Sequence, residues 1–208
     1  MIDNETLDTM LWKKVSRIKQ ELNFTQIKAI ADLFAHIVDY KSPFTSNHSI
    51  GVAEGAEKIS RFMGFDEDIC QKMYLAGALH DIGKVAIGNE ILEKPEKLTD
   101  EEFKTMKHHA VYTYYILSGI DDFEEIRDWA ALHHEKINGK GYPFGKTADE
   151  LNEQERIMAC IDIYQALTED RPYKKGLSHE KACDILDDME QKGFVDSDIS
   201  NKIRECFK

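Results

Sequence analysis

Apolar residues recur at intervals of three and four along nearly the whole chain, which is the spacing of helices with one buried face. No segment alternates apolar and polar residues as a half-buried strand would, and no internal repeat or Pro-rich linker interrupts the pattern. The sequence therefore predicts an all-α fold. The segments with helical spacing are residues 7–22, 24–40, 50–65, 66–83, 100–119, 122–134, 149–169, 178–190 and 198–207.

Two of the predicted helices carry a capping box, in which a Ser or Thr and a Glu three residues later bond each other's backbone. Thr99 with Glu102 predicts a helix that begins at residue 100. Thr147 with Glu150 predicts that the helix over residues 149–169 also begins at its capping box.

Composition describes a folded protein with no excess of positive charge. Of the 208 residues, 42% are hydrophobic and 32% are charged, which suits one domain with a sizeable core. We expect a catalytic domain of residues 41–208, with residues 1–40 as N-terminal helices packed on the bundle. The net charge of −12 excludes a general duplex nucleic-acid binder but leaves room for a small phosphorylated ligand.

Cysteine usage and hydropathy point to a reduced compartment. The four cysteines show no CxxC spacing, so neither a zinc ribbon nor a disulfide framework is expected. The N-terminal residues lack the pattern of a secretion signal, and no apolar run reaches membrane-spanning length. We therefore expect a cytoplasmic protein without membrane insertion; a homo-oligomer or a signalling partner protein remains open.

Histidines and aspartates stand at the ends of apolar segments or inside them, where an unpartnered polar group is costly. Each alone is more often a hydrogen-bonded or surface residue than a metal ligand, and we expect that role for His36, His108 and His179. The remaining set is harder to explain without a shared partner. Its members are His48, His80, Asp81, His109, His133, His134 and Asp162.

Imidazole and carboxylate ligands together suit iron, manganese or zinc, and no cysteine lies beside these positions. Seven groups exceed what one ion normally takes from a protein, but they fit two ions that share a bridging carboxylate, about 3.5–4 Å apart. Two divalent ions, two aspartates and one hydroxide leave a net charge of about +1, because ligating histidines are neutral. Such a centre attracts a phosphodiester.

Four motifs, in this order along the chain, resemble the HD-GYP family, the branch of HD-domain phosphohydrolases that typically hydrolyses cyclic di-GMP. They are HDIGK (80–84), MKHHAVYTYYIL (106–117), HHEKINGKGYP (133–143) and IDIYQALTEDRPYK (161–174). The match spans about residues 40–185. The resemblance implies a single HD-domain helical bundle and a metal-dependent phosphodiesterase that converts cyclic di-GMP to pGpG, GMP or both.

The resemblance also implies a role for each motif residue. Asp81 would bridge two divalent ions, with iron or manganese foremost, and a metal-bridging hydroxide would attack phosphorus. One ion would be completed by His48, His80 and Asp162, and the other by His109, His133 and His134.

Substrate contacts are implied at three further places. Lys84 would hold a phosphate oxygen and stabilise charge in the transition state. Arg171 and Lys174 would contact phosphate or guanine. The signature residues Gly141, Tyr142 and Pro143 would shape the mouth of the site.

The chain departs from the family pattern by losing carboxylates. Gln165, Ser42 and Asn138 stand where the family commonly has aspartate, and Phe44 stands where some members have an additional glutamate ligand. None of the first three is among the seven predicted ligands, so the predicted metal centre is retained. Phe44 cannot bind a metal, so two metals rather than three are expected. Two alternatives stay open: a phosphohydrolase for another nucleotide, and a non-catalytic dinuclear module that binds or senses a ligand.

Overall fold

The computed structural model describes residues 21–41, 47–170 and 175–208. Within these ranges the chain is helical with no strand, and its one isolated β-bridge joins Asn138 to Thr147. The predicted all-α fold is therefore confirmed. Its α-helices are α1 (Phe24–Lys41), α2 (His48–Met63), α3 (Glu67–Leu79), α4 (Asn89–Leu92), α5 (Asp100–Leu117), α6 (Glu124–Ala131), α7 (Glu153–Thr168), α8 (His179–Gln191) and α9 (Ser197–Cys206).

The core lies between α2, α3 and α7. Helices α1, α6, α8 and α9 pack directly on these three, and α5 packs on α6 and on the turn after α3. Ile59 on α2, Met73 on α3 and Ile157 on α7 have no exposed surface. Each such side chain contributes about 1.5–3 kcal/mol by leaving water. Because α7 is covered on several sides, Asp162 in its middle is buried and needs a partner.

One of the two predicted capping boxes starts its helix as expected. Thr99 accepts a hydrogen bond from the Glu102 N–H at 3.3 Å, and Glu102 accepts one from the Thr99 N–H at 2.7 Å. Helix α5 begins directly after this threonine. The capping box was therefore sufficient to predict where α5 begins.

The prediction that a helix starts at the capping box of Thr147 is wrong. The capping box with Glu150 exists, but it closes only a short 3₁₀ turn, Ala148–Glu150. Leu151 then takes an extended conformation and is buried, so the chain turns before α7 begins at Glu153. A second capping box, between Asn152 and Glu155, starts that helix. The buried Leu151 therefore separates the short 3₁₀ turn from the start of α7.

Helix α1 packs on the bundle through one face only. Ala31, Ala35 and Val38 are buried, whereas apolar side chains such as Ile30 and Leu33 are exposed on the other side. The helix predicted over residues 7–22 lies almost entirely outside the described residues, so its packing stays a prediction. No helix in the described part of the chain is long and apolar enough to cross a membrane.

Candidate metal centre

Seven side chains from five segments meet at one end of the core. The first residue of α2, the turn after α3, the middle of α5, the turn after α6 and the middle of α7 each contribute. Six of the seven side chains are buried, and His134 keeps about 30% of its side chain exposed. They are the seven predicted candidates: His48, His80, Asp81, His109, His133, His134 and Asp162.

The His-Asp turn after α3 is locked against α5. The Gly83 N–H donates to Thr113 Oγ1 at 3.0 Å, and that hydroxyl donates to the His80 carbonyl at 2.9 Å. A Cβ on Gly83 would lie 1.9 Å from the His109 carbonyl oxygen, so only glycine permits this approach. The contact holds Asp81 beside His109.

Three histidines are oriented by their own backbone. Nδ1 of His80, His109 and His133 lies 2.7, 2.7 and 2.6 Å from the carbonyl oxygen three residues earlier. Because a carbonyl only accepts, Nδ1 of each ring carries a proton and Nε2 lies on the opposite side of the ring. Nε2 of each ring therefore points to the centre of the cluster, and it is unprotonated in His109 and His133, whose pKa burial lowers.

The ligand atoms form two groups with the composition that the motifs implied. Those of His48, His80 and Asp162, which we name the carboxylate triad, lie within 4.8 Å of one another. Those of His109, His133 and His134, which we name the histidine triad, do the same. A third group of His80, Asp81 and His133 connects them.

Asp81 has the setting expected of a shared ligand. Its Oδ2 accepts a hydrogen bond from Lys84 Nζ at 2.5 Å. Its Oδ1 is buried and has no hydrogen-bond partner among the described residues; His109 Nε2 lies 3.4 Å away. A buried carboxylate oxygen without a partner is costly. A buried oxygen that has no hydrogen-bond partner and lies 3.4 Å from an imidazole nitrogen fits a divalent cation, so the residues present suit the metals that the resemblance implies.

The histidines of the two triads differ in their affinity for a proton. Burial opposes the charge on His48, but hydrogen bonds to Asp162 and Glu169 outweigh it and raise the pKa of His48 to about 10. Burial lowers the pKa of His109 and holds that of His133 well below its usual value. Burial would raise the pKa of Asp162, but the bond to His48 and the neighbouring imidazoles lower it. The histidine triad is therefore neutral at pH 7, whereas His48 is protonated.

A cavity of about 600 Å³ opens beside the histidine triad. Lys84, His109, His134 and Tyr142 line its inner end. The Tyr142 ring lies 4.7 Å from that of His134, centroid to centroid. Of the predicted substrate contacts, Lys84 and Tyr142 thus face this cavity, while Arg171 and Lys174 lie outside the described residues.

The loop that carries the Gly-Tyr-Pro signature is held by Glu135, a residue the sequence reasoning missed. Its buried carboxylate accepts the N–H groups of Phe144 and Gly145 at 2.7 and 3.0 Å, and that of Lys146 at 3.1 Å. Gly141 packs so closely that a Cβ would lie 2.4 Å from the Glu135 Cα, and a cis bond joins Tyr142 to Pro143. In the sequence, its position as a charged residue directly after the apolar end of a helix could have identified Glu135.

Thr113 and Glu169 were also missed. Thr113 locks the His-Asp turn, and Glu169 accepts from His48 Nδ1 at 2.9 Å. A threonine on a helix gives no signal of such a role, because its partner lies 33 residues away. A glutamate beside RPYK was visible in the sequence, but its partner lies 121 residues away.

Two departures from the family pattern lie in the described residues, and neither coordinates the cluster. Asn138 donates to the Lys192 carbonyl at 3.3 Å and accepts from the Lys140 N–H at 3.1 Å. An ionised aspartate cannot make the first bond. Gln165 packs against Gly51 of α2. Ser42 and Phe44 lie outside the described residues.

The three histidines expected to be uninvolved are indeed outside the cluster. His36 and His108 are exposed. His179 Nδ1 pairs with the Tyr164 hydroxyl at 2.9 Å, at the start of α8. The surroundings of these three histidines do not require a metal.

The chain is similar to known proteins over most of its length. The HD domain family matches residues 32–199. The chain is 35% identical over 185 residues to a 3′3′-cGAMP-specific phosphodiesterase of Vibrio cholerae, covering 89% of this chain and 43% of that relative. It is 37% identical over 140 residues to a cyclic di-GMP phosphodiesterase of Pseudomonas aeruginosa, covering 67% of this chain and 34% of the relative. The chain thus spans less than half the length of either relative.

Solved structures show the same fold. An HDG"Y"P protein of Bdellovibrio bacteriovorus superposes with a TM-score of 0.64 at 15% identity, covering 89% of this chain and 64% of that one. The HD domain of the Listeria monocytogenes phosphodiesterase PgpH, in complex with cyclic-di-AMP, superposes with a TM-score of 0.62 at 18% identity, covering 84% and 92%. The chain therefore belongs to the HD-domain family, and the resemblance to its HD-GYP branch that the four motifs indicated is confirmed.

Proposed function

We propose that this chain is a metal-dependent phosphodiesterase that hydrolyses a cyclic dinucleotide, with cyclic di-GMP and 3′3′-cGAMP as the two candidate substrates. The observation that carries the proposal is the orphaned buried Oδ1 of Asp81 between two triads of ligand atoms. Relatives that are 35% and 37% identical to this chain over the aligned residues are named for these two activities. Hydrolysis of cyclic di-GMP would yield pGpG, GMP or both.

The two triads would each hold one divalent ion, with Asp81 shared between them. Iron and manganese suit the mixture of nitrogen and oxygen donors and the lack of a thiolate among them. Bound there, such ions supply Lewis-acid stabilisation of a phosphoryl oxygen and lower the pKa of water. The chain's own part is to hold Nε2 of His80, His109 and His133 inward through backbone carbonyls.

Lys84 would serve the phosphoryl group. Burial opposes its charge, but the adjacent Asp81 carboxylate outweighs this and raises the pKa of Lys84, so its ammonium stays charged. Its side chain is 20% exposed and lines the cavity. An ammonium there can transfer its bonds from Asp81 to a phosphate oxygen as negative charge develops.

The cavity has room and charge for a ligand with a second phosphate. Its volume of about 600 Å³ is within the usual range for small-molecule sites. Two further lysines line it: Lys94 pairs with Glu102 at 2.6 Å, whereas Lys97 makes no ion pair among the described residues. Among the described residues that line the cavity, Lys97 is therefore a cation available to a second phosphate, while the first phosphate would lie at the metals. Burial raises the pKa of Tyr142, so its hydroxyl stays protonated and able to donate.

The test is turnover by metal-loaded protein. The chain, purified and reconstituted with Mn²⁺ or with Fe²⁺ under reducing conditions, is incubated with cyclic di-GMP, 3′3′-cGAMP and cyclic di-AMP, and the products are separated by chromatography. We expect linear dinucleotide or mononucleotide from at least one of the two guanine-containing substrates.

Other outcomes separate the alternatives. Hydrolysis of only a different nucleotide would contradict the substrate class while keeping the phosphohydrolase. Binding of a cyclic dinucleotide by metal-loaded protein, with no product, would favour a sensor module. Metal content near zero after reconstitution would contradict the metal centre itself.

A further inference from the structure

His48 differs from the other buried histidines in what orients it. It is the first residue of α2, so no helical turn of its own precedes it to supply a carbonyl. Its Nδ1 instead lies 2.9 Å from Oε2 of Glu169, while Nε2 lies 3.0 Å from Oδ1 of Asp162. The ring is thus held between two carboxylates, one at each nitrogen.

Both carboxylates come from a single helix. Asp162 lies within α7 and Glu169 is the residue that ends it, seven positions later, which places both on one face of the helix. The side chains of His48 and Glu169 are only 6% and 10% exposed. A buried, oriented carboxylate–imidazole contact of this kind binds far more strongly than an exposed one.

From this geometry we infer that Glu169 is a positioning residue that orients His48 and makes the carboxylate triad the tighter of the two metal positions. The inference rests on the proposed metal centre. With a metal bound at Nε2, His48 would still donate its Nδ1–H to Glu169, and this bond would fix the tautomer and the direction of the ring. The other buried ligand histidines with an assigned Nδ1 partner use a neutral carbonyl, which orients the ring without adding negative charge.

The charge is as important as the orientation. A carboxylate at Nδ1 increases the electron density on Nε2 and so strengthens its bond to a cation. The carboxylate triad has Asp162 as a direct ligand and Glu169 behind His48, whereas each ligand of the histidine triad is a neutral imidazole. The two positions are therefore unequal before any metal binds, and they should fill in order.

The experiment is a titration of metal-free protein with Mn²⁺, following free Mn²⁺ by its electron paramagnetic resonance signal. We expect two binding steps in the wild type. Glu169→Gln keeps an oxygen that can accept from Nδ1 but removes the charge, and it should weaken the tighter step about tenfold. Glu169→Ala removes both and should weaken it by up to about 100-fold. The second step should keep its affinity in both variants.

Glu54→Gln is the matched control. Glu54 is exposed on α2, the helix that begins with His48, and makes no hydrogen bond or ion pair among the described residues. This variant should titrate as the wild type does. Circular dichroism and thermal unfolding verify that each variant is folded, and Glu169→Asp, which keeps the charge on a shorter arm, should lose less affinity than Glu169→Ala.

Three results would overturn the inference. Identical titrations of wild type and Glu169→Ala would remove any role for Glu169, and equal weakening of both steps would show that it merely supports the fold. A wild type that binds no Mn²⁺ would remove the metal centre and the inference together. Protein that binds two Mn²⁺ ions with the expected Glu169 effect but hydrolyses no cyclic dinucleotide would contradict the proposed function and leave this inference standing.

Discussion

The carboxylate triad and the histidine triad lie side by side, yet the fold prepares them differently. His48 in the first is bonded to two carboxylates, which raise its pKa to about 10. His109 and His133 in the second are bonded to backbone carbonyls, and burial lowers the pKa of both. The carboxylate triad therefore holds a proton on His48, whereas the histidine triad presents ring nitrogens with free lone pairs.

This difference shows how one cluster can contain two kinds of cation site. A proton and a divalent ion compete for His48, so its position combines strong charge attraction with a requirement to release a proton. The histidine triad has no such competition near neutral pH, but it has less negative charge to attract an ion. Asp81 lies between the two triads and contacts each of them: His80 Nε2 lies 3.2 Å from its Oδ2, and His109 Nε2 lies 3.4 Å from its Oδ1.

The largest effect is expected from removing the shared residue. Asp81→Ala takes away the ligand between the triads, so both ions should be lost and kcat/KM for the cyclic dinucleotide should fall at least about 1,000-fold. Metal analysis and the product assay measure the two losses. His36→Ala, at an exposed histidine, should change neither; two ions per chain in Asp81→Ala would contradict a shared ligand.

Removing one ligand from a single triad should have a more limited effect on metal content. His48→Ala and His133→Ala should each lower the content from about two ions to about one per chain, because the opposite triad keeps its three ligand atoms. Elemental analysis of the reconstituted variants provides the measurement. Loss of both ions in each variant would show that the triads do not bind independently.

Lys84→Ala should separate metal binding from rate. Lys84 contacts Asp81 but belongs to neither triad, so both ions should remain while kcat falls about 100-fold, the usual result of removing one charged donor from a transition state. Metal content and steady-state kinetics are measured on the same preparation. A normal kcat with two ions bound would contradict its assignment to the phosphoryl group.

The triads should respond differently to pH. Because the pKa of His48 is raised, an ion entering the carboxylate triad must displace at least one proton at pH 7, and its affinity should fall about tenfold per pH unit for each proton as pH decreases from 8 to 6. The histidine triad, already neutral, should keep its affinity over that range. Mn²⁺ titrations at pH 6, 7 and 8 resolve the two steps; parallel slopes would contradict the comparison.

The smallest effect is expected outside the triads, at Lys97. Lys97→Ala should raise KM for the cyclic dinucleotide about tenfold, equivalent to about 1.4 kcal/mol, with kcat little changed. Hydrolysis of bis(p-nitrophenyl) phosphate, which has one phosphate, should be unaffected. Lys104→Ala is the control, since Lys104 is exposed on α5 and does not line the cavity. An equal loss on both substrates would contradict a second-phosphate contact.

Local features of the sequence were predictable where neighbours along the chain make the bonds. The capping box of Thr99 and Glu102 starts α5 as expected, because both partners lie within one turn. The same reasoning failed at Thr147, because the buried Leu151 directs the chain away from a helix. The burial of Leu151 depends on the rest of the fold, so the capping box alone does not reveal it.

The candidate site shows the same division. The identity of all seven clustered residues came from motifs and from the cost of polar groups in apolar segments. Glu169 and Thr113 were not found, because each acts on a histidine far away along the chain. Asn138, which looked like a lost carboxylate, is a donor to the Lys192 carbonyl and is therefore suited to its place.

By itself the sequence determined the helical architecture and the chemistry of the cluster, because helix periodicity and ligand type are properties of the residues themselves. Only the tertiary structure decided which ligands meet and how each is prepared. His48 and Asp162 are 114 positions apart, and their contact exists because α2 packs against α7 around a buried core. The unequal proton affinity of the two triads follows from that packing, since it places a carboxylate behind one imidazole and backbone carbonyls behind the others.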